Sequence, residues 1–430
     1  MKEINIQAEN INQNQIEAAL REWLADYPVK PRKALLLPPD FTRFHSKAGL
    51  IVRLLYRLLA PDCQVDIMPA LGTHLPMSDA EKQNMFGGGI PAERYIGHDW
   101  RNDVVKIGEV PSGYIAEISE GLVGYGIDVE VNRHLLDPAY DLIVSIGQVV
   151  PHEVAGMANY GKNIFVGCGG KDMINKSHFL GAAFGMERMM GRADTPVRKV
   201  FDYAGEYFLK DLPLQYILTV TTTGSDPGAQ DETRMNGLFI GKSRKLFEEA
   251  ALLSQKQNLN MLDHPLEKVV VYLDPGEFKS TWLGNKAIYR TRMAIADGGE
   301  LVILAPGVKQ FGEDKTIDAL IRKYGYVGSK QVLELLDREP ELRQNLSAAA
   351  HLIHGSSEGR FTITYATSIL GKDEVERVNF KYRPLHEIIQ KYNPEQLKAG
   401  RNILTDGEEV YFIKNPALGL WADRNRFYRS

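Results

Sequence analysis

Two histidines stand just beyond apolar runs that read as strands, where a side chain is free to face a cleft: His74 after Gly72-Thr73, and His152 after Pro151. Imidazole exchanges a proton near neutral pH, so a pair of them suits acid/base work on opposite faces of one carbon. Taken singly, each reads as readily as a loop histidine satisfied by backbone. Asp40 and Arg43 lie three apart in PPDFTRF, also at a strand end. The arginine can fork onto a carboxylate or phosphate, and the aspartate can orient a histidine or a ligand hydroxyl. A local Asx-type cap beside a surface arginine is the plainer alternative.

Lys162 follows Tyr160-Gly161, and His178 comes sixteen residues later in NKSHFLG. A lysine in apolar surroundings loses basicity and becomes nucleophilic, which permits covalent attachment of a cofactor, and the histidine could ligate a metal. An isolated lysine or histidine is more often a surface or core residue, so only the combination is informative. The glycines of GGGI (87–90) and GCGGK (167–171) match neither GxGxxG nor GxxxxGK[ST], which excludes a nucleotide P-loop. His98 and Asp99 in GHDW read as a turn.

These residues need a scaffold that delivers loops to one edge. Apolar runs alternate with helical patterns through the first 260 residues: KALLLPPD (33–40), QVDIMPAL (64–71), YDLIVSIGQV (140–149) and KNIFVGCGG (162–170). Such alternation predicts an α/β fold with parallel-type sheets flanked by helices. Ala48 to Leu59 reads as an amphipathic helix, and Ser78 to Met85 as a helix with a polar N-cap. In open α/β sheets ligands gather where strands end, and four such ends carry the groups above.

A second α/β unit starts near residue 266, where LEKVVVYLDP predicts a strand. A helix is expected over 285–296, closed by Gly298-Gly299, and LVILAPG (301–307) predicts another strand. The boundary is expected within 255–268, at the His264-Pro265 breaker, giving domains 1–262 and 263–430. EVYFIKNP (409–416) predicts a late strand, and the last helix is a candidate to pack back on the first domain.

Composition narrows the class. The chain has 430 residues, 44% hydrophobic and 25% charged, long enough for more than one core. With 51 basic against 55 acidic residues and a formal net charge of −4, it has no field to hold nucleic acid. Its apolar runs are strand-sized, so no membrane partner is expected. Cys63 and Cys168 offer no disulfide framework and no four-ligand zinc pattern, which fits a cytoplasmic setting.

Order and spacing together resemble the nickel-pincer lactate racemase family of 2-hydroxy acid racemases and epimerases. The carrying segments are D-F-T-R at 40–43, G-T-H at 72–74, P-H-E-V-A-G-M-A-N-Y-G-K at 151–162 and the histidine at 178, with KAIYRTRMAIADGG (286–299) as a further echo. The resemblance covers about residues 33 to 305. It implies two α/β domains with the active site in the cleft between them, and a covalently bound nickel-pincer nucleotide, a pyridinium mononucleotide carrying sulfur groups.

By that resemblance Lys162 forms the covalent link, His178 ligates nickel, and His74 and His152 are the acid/base pair. Asp40, Thr42 and Arg43 line the cofactor region, while Arg43 and Lys286 hold the substrate carboxylate. The implied reaction removes the α-hydrogen as a hydride to the cofactor while one histidine takes the hydroxyl proton, leaving a flat 2-keto acid; return from the other face inverts the centre. Trp282-Leu283 stands where the family has a Tyr-Gln pair, and Ala158-Asn159-Tyr160-Gly161 where it has Ser-Gly-Gly. Trp282 and Tyr160 are therefore expected to reshape the substrate pocket for a 2-hydroxy acid other than lactate. Two other readings remain: a zinc- or manganese-dependent hydrolase or lyase using His74, His98, His152, His178 and Asp40, and a non-catalytic cofactor-binding protein.

Overall fold

The structure is a computed structural model and describes residues 2–223 and 233–429. The chain divides into two compact units, Met1–Ser177 with Met190–Asn258, and His178–Met189 with Leu259–Ser430. The helix Lys171–Phe184 thus passes from the first unit to the second at His178, an excursion that a single boundary near 262 does not contain.

The first unit is built on six strands, β1 (Ile4–Gln7), β2 (Lys33–Leu37), β3 (Gln64–Ile67), β4 (Leu142–Gln148), β5 (Leu214–Thr223) and β6 (Thr233–Gly241), in the order β1-β6-β5-β4-β2-β3. The run β3-β2-β4-β5 is parallel, whereas β6 and β1 add antiparallel at one edge, so the sheet is mixed. Ala34 to Leu37 are wholly buried, as a strand covered on both faces requires. The helix Ala48–Leu59 lays Ile51, Val52 and Leu55 on the same core. At about 1.5–3 kcal/mol for each fully buried large aliphatic side chain, this stripe fixes the helix more firmly than its propensity does. Ser78 caps the helix Asp79–Phe86 in a reciprocal box with Glu81.

The second unit carries β7 (Leu266–Tyr272), β8 (Ile295–Leu304), β9 (Thr362–Thr367), β10 (Lys381–Pro384), β11 (Gly400–Ile403) and β12 (Glu409–Ile413), in the order β10-β9-β8-β7-β12-β11. All neighbours are parallel except β11 and β12. The last helix, Arg424–Arg429, belongs to this unit. Among the described residues no helix is long and apolar enough to cross a membrane.

Two elements differ from expectation. The helix expected over 285–296 is reduced to Thr281–Gly284 and Lys286–Tyr289. Arg290 to Arg292 still donate to carbonyls of the preceding turn, but from Met293 on the backbone is taken by sheet-type bonds: Leu266 N–H donates to Ala294 O at 2.8 Å, and Met293 bridges Ala422. Gly298-Gly299 does not end a helix but lies inside β8, where the register slips between Leu266 facing Ile295 and Lys268 facing Glu300 and Gly298 takes φ 84°. The expected strand at 162–170 is instead a π-helical turn, Asn163–Gly167. A short buried apolar run has the same signature in either form; here the Asn163 amide, donating to Leu37 O and Ser145 Oγ, fixes the coiled one.

Candidate functional site

The strand order of the first unit reverses between β2 and β4, since the chain moves from β2 outward to β3 and then returns to β4 on the other side. Ligands of open α/β sheets bind beyond the carboxyl ends of strands at such a point. Asp40 follows β2, His74 follows β3 and His152 follows β4, so all three issue from this edge.

Pairing persists past β2 and β3: Pro39 bridges Ala70, and Ala70 N–H donates to Pro38 O at 2.8 Å. This carries Asp40 and the Gly72-Thr73-His74 loop out together. Asp40 caps the 3₁₀ turn Phe41–Ser46, accepting from Thr42 N–H at 3.0 Å and from Thr42 Oγ1 at 2.5 Å, both on Oδ1. Its Oδ2 is left for His74 Nδ1, at 2.5 Å. Burial alone would raise the Asp40 carboxyl, but the hydrogen bonds from His74 and Thr42 and the nearby imidazole outweigh it and hold the group below its ordinary value. An ionised Asp40 accepts only, so His74 carries its proton on Nδ1 and keeps the Nε2 lone pair. Because 59% of the His74 side chain is exposed, that lone pair belongs to an accessible ring.

His152 has the opposite tautomer. It sits in a tight hairpin, Pro151–His152 against Gly156–Met157, and its buried Nδ1 accepts from Val154 N–H at 3.1 Å and Ala155 N–H at 3.5 Å. The neutral ring then carries its proton on Nε2 and donates there. One histidine is arranged as a base, the other as a hydrogen-bond donor.

Lys162 lies between these elements. Dense protein around it pushes its amine down to about 8, first by desolvation and then by the positive charges of Arg43 and Arg198, while Glu153 and Asp40 act to raise it. The residue as a whole is only partly buried, and its amine is weakly basic. Arg43, Asp40 and Lys162 are thus within one electrostatic neighbourhood. Arg43 is exposed and pairs with no carboxylate among the described residues. The Thr42 hydroxyl proton is committed to Asp40, which leaves Thr42 only its acceptor capacity for a ligand.

Tyr160 does not line this site. Its ring packs at 4.3 Å from Tyr216 and 5.1 Å from Phe247, and its hydroxyl donates to Lys242 O at 3.0 Å. Its expected part in reshaping the substrate pocket gives way to a structural one, because the left-handed backbone at Tyr160 turns the side chain into the aromatic cluster. His98 is buried, with Nδ1 3.0 Å from the Asn132 amide, and Asp99 closes an Asx turn onto the N–H groups of Arg101 and Asn102. The glycines near Lys162 serve packing. A Cβ on Gly169 would meet Phe165 O at 1.9 Å, so Gly169→Ala is expected to lower the melting temperature by several degrees, about 1–3 kcal/mol of overpacking, read by thermal unfolding.

The remaining expected residues belong to the second unit. His178 is partly exposed on the helix Lys171–Phe184. Trp282 and Lys286 fall on the two short helices after β7, four residues apart and so on one side of the segment. The indole stacks at 4.3 Å on His351, and Lys286 Nζ lies 5.8 Å from the Phe278 ring centre. Behind them Asn285, Tyr326, Tyr365 and His351 form a buried polar network that sequence reading missed. Arg198 was missed as well; its signal is a charged residue on the apolar stripe of the helix Pro196–Phe208.

Comparison with known proteins bears on this geometry. The family model described as the lactate racemase N-terminal domain matches residues 1–189. No curated protein matches the chain. Among solved structures, a Thermotoga maritima protein is 24% identical with a TM-score of 0.78, over 97% of this chain and 99% of its own. The lactate racemase apoprotein from Thermoanaerobacterium thermosaccharolyticum is 17% identical with a TM-score of 0.70, over 97% and 94%. At these identities the two structures speak for the fold.

Proposed function

We propose that the chain, whose residues 1–189 match the lactate racemase N-terminal domain, is an isomerase that racemises or epimerises the C2 centre of a 2-hydroxy acid. The observation that carries this reading is Lys162, a weakly basic amine set in one charge cluster with Arg43 and the Asp40–His74 pair at the switch point of the sheet.

The residues suit the family's nickel-pincer nucleotide. An amine lowered to about 8 is partly neutral at physiological pH, as covalent attachment needs. His178 would give the metal its protein ligand, and Asp40, Thr42 and Arg43 would line the nucleotide. Among the described residues no group of three or more His, Cys, Asp or Glu could hold a metal ion. A zinc or manganese hydrolase needs such a cage, whereas a cofactor with its own carbon and sulfur donors asks only one ligand of the protein.

When bound, that cofactor supplies a hydride acceptor and donor, and the chain's own part is to hold the substrate and move its proton. Arg43 and Lys286 would fix the carboxylate, which keeps C2 in place while its substituents rearrange. His74, with Nδ1–H held by Asp40, takes the 2-hydroxyl proton on Nε2. The imidazolium so formed is stabilised by the buried carboxylate. His152 would donate a hydrogen bond from Nε2 to the substrate oxygen, and the proton held by the His74 imidazolium would return to that oxygen when the hydride comes back.

Purification from a host that makes the cofactor tests the reading. Wild type should show a covalent mass adduct and about one nickel per chain, Lys162→Ala should show no adduct, and a panel of 2-hydroxy acids should include one whose C2 is inverted. An unmodified wild type under those conditions would overturn it.

A further inference from the structure

The turn that presents Lys162 is held in an unfavourable shape by its own side chains and by residues far along the chain. Asn159 and Tyr160 have φ of 63° and 55°, two consecutive side-chain-bearing residues in the left-handed region. Such backbone persists only where its surroundings over-determine it, and it concentrates at functional sites. Asn159 relieves part of the strain locally, its Oδ1 accepting from Tyr160 N–H at 2.6 Å. The larger restraint is Arg198, which is wholly buried on the helix Pro196–Phe208. One arm of its guanidinium donates to Asn159 O at 3.2 Å, the other to Met157 O at 2.7 Å, and its plane lies over the Phe247 ring at 4.4 Å. The same ring flanks Tyr160, which Tyr216 covers at 4.3 Å. Directly after this turn the chain enters Lys162 in ordinary helical geometry, with Lys162 N–H bonded to Asn159 O at 3.3 Å.

We propose that Arg198 and Tyr160 are positioning residues for Lys162: the forked grip on the Met157 and Asn159 carbonyls and the aromatic seat of Tyr160 hold the left-handed turn that presents the lysine amine for covalent attachment. The proposal rests on the reading of Lys162 as the attachment point. A lysine at 198 would keep the charge but not the fork, because a single ammonium cannot reproduce two planar N–H donors at fixed spacing. The charged groups acting on the Lys162 amine are Arg43, Arg198, Glu153 and Asp40. Relaxing the turn lets the amine move away from this balance toward water, where it regains basicity.

Trace acetylation of the full-length protein without cofactor reads this directly, since only a neutral amine reacts. The Lys162 peptide is followed by mass spectrometry from pH 6 to 10, with exposed Lys256 as internal reference. In wild type the labelling midpoint is expected near 8. In Arg198→Lys and in Tyr160→Ala it is expected to rise by about one pH unit or more, cutting Lys162 labelling at pH 8 roughly fivefold. Covalent loading in a cofactor-producing host should fall severalfold in both. Should Arg198→Lys fail to fold, Tyr160→Ala, which empties a partly exposed seat, carries the test alone. A folded variant with the wild-type midpoint and wild-type loading would overturn the proposal. If the midpoint shifts but wild type never takes an adduct, the positioning role stands and the attachment reading falls.

Discussion

Replacing Asp40 by asparagine is expected to lower kcat per loaded chain on the 2-hydroxy acid substrate by about two to four orders of magnitude, close to the loss from His74→Ala. The reason lies in Thr42. Its N–H needs an acceptor at the position of Asp40 Oδ1, and its hydroxyl points to the same atom. An asparagine at 40 therefore places its amide oxygen toward Thr42 and its NH₂ toward His74. Facing a donor, His74 Nδ1 must become an acceptor, which moves the ring proton to Nε2 and removes the base. The buried negative charge that would stabilise the imidazolium is lost in the same step. A factor of 10² to 10⁴ corresponds to about 2.7–5.4 kcal/mol of transition-state stabilisation. Chiral chromatography of the product gives kcat, and intact mass gives loading. A variant within threefold of wild type would mean that His74 is not the base, or that Asp40 does not set its tautomer.

The Asp40–His74 contact shows how far the sequence reaches. That both residues sit at strand ends follows from the apolar runs before them. That an aspartate there orients a histidine is a reading of residue types, and the 2.5 Å contact now gives it a geometry. The α/β class with sheets covered by helices was legible for the same reason, since buried parallel strands are near-continuous apolar runs. What was not legible depends on tertiary partners. Residues 162–170 read as a strand because Ile164 to Val166 are apolar, but their coiled form is decided by Asn163 reaching back to Leu37 and Ser145. Residues 290–296 read as helix because nothing local shows that Ala294 and Met293 will be claimed by Leu266 and Ala422. Tyr160 looked like a pocket residue because its left-handed φ, the cause of its turning away, has no sequence signal at a tyrosine. Arg198 is the sharpest omission, since a buried cation acts here through two carbonyls of a distant turn.

His351 should make the protein sensitive to acid in a way that carboxylates do not explain. Its ring is buried on the helix Leu346–His354, stacked on Trp282, with Nε2 3.2 Å from the Tyr326 hydroxyl. Burial, then the charge of His354, pushes it down to about 3. The unfolded chain would take up that proton at an ordinary histidine value near 6.5. Below that pH the unfolded state binds a proton the native state refuses, so stability falls as pH drops from about 6.5 toward 3, by up to about 1.4 kcal/mol per unit, and levels off beyond. The whole span amounts to roughly 3–5 kcal/mol, a large share of the net stability of a typical domain. His351→Gln removes the titrating group and keeps a hydrogen-bonding side chain of similar reach. The difference in unfolding free energy between wild type and His351→Gln, measured in denaturant from pH 7 to 4, should therefore move steadily against wild type as pH falls. The many carboxylates are common to both proteins and cancel in that difference. A flat difference would mean that His351 is protonated in the native state, and the Trp282 stack would then hold an imidazolium.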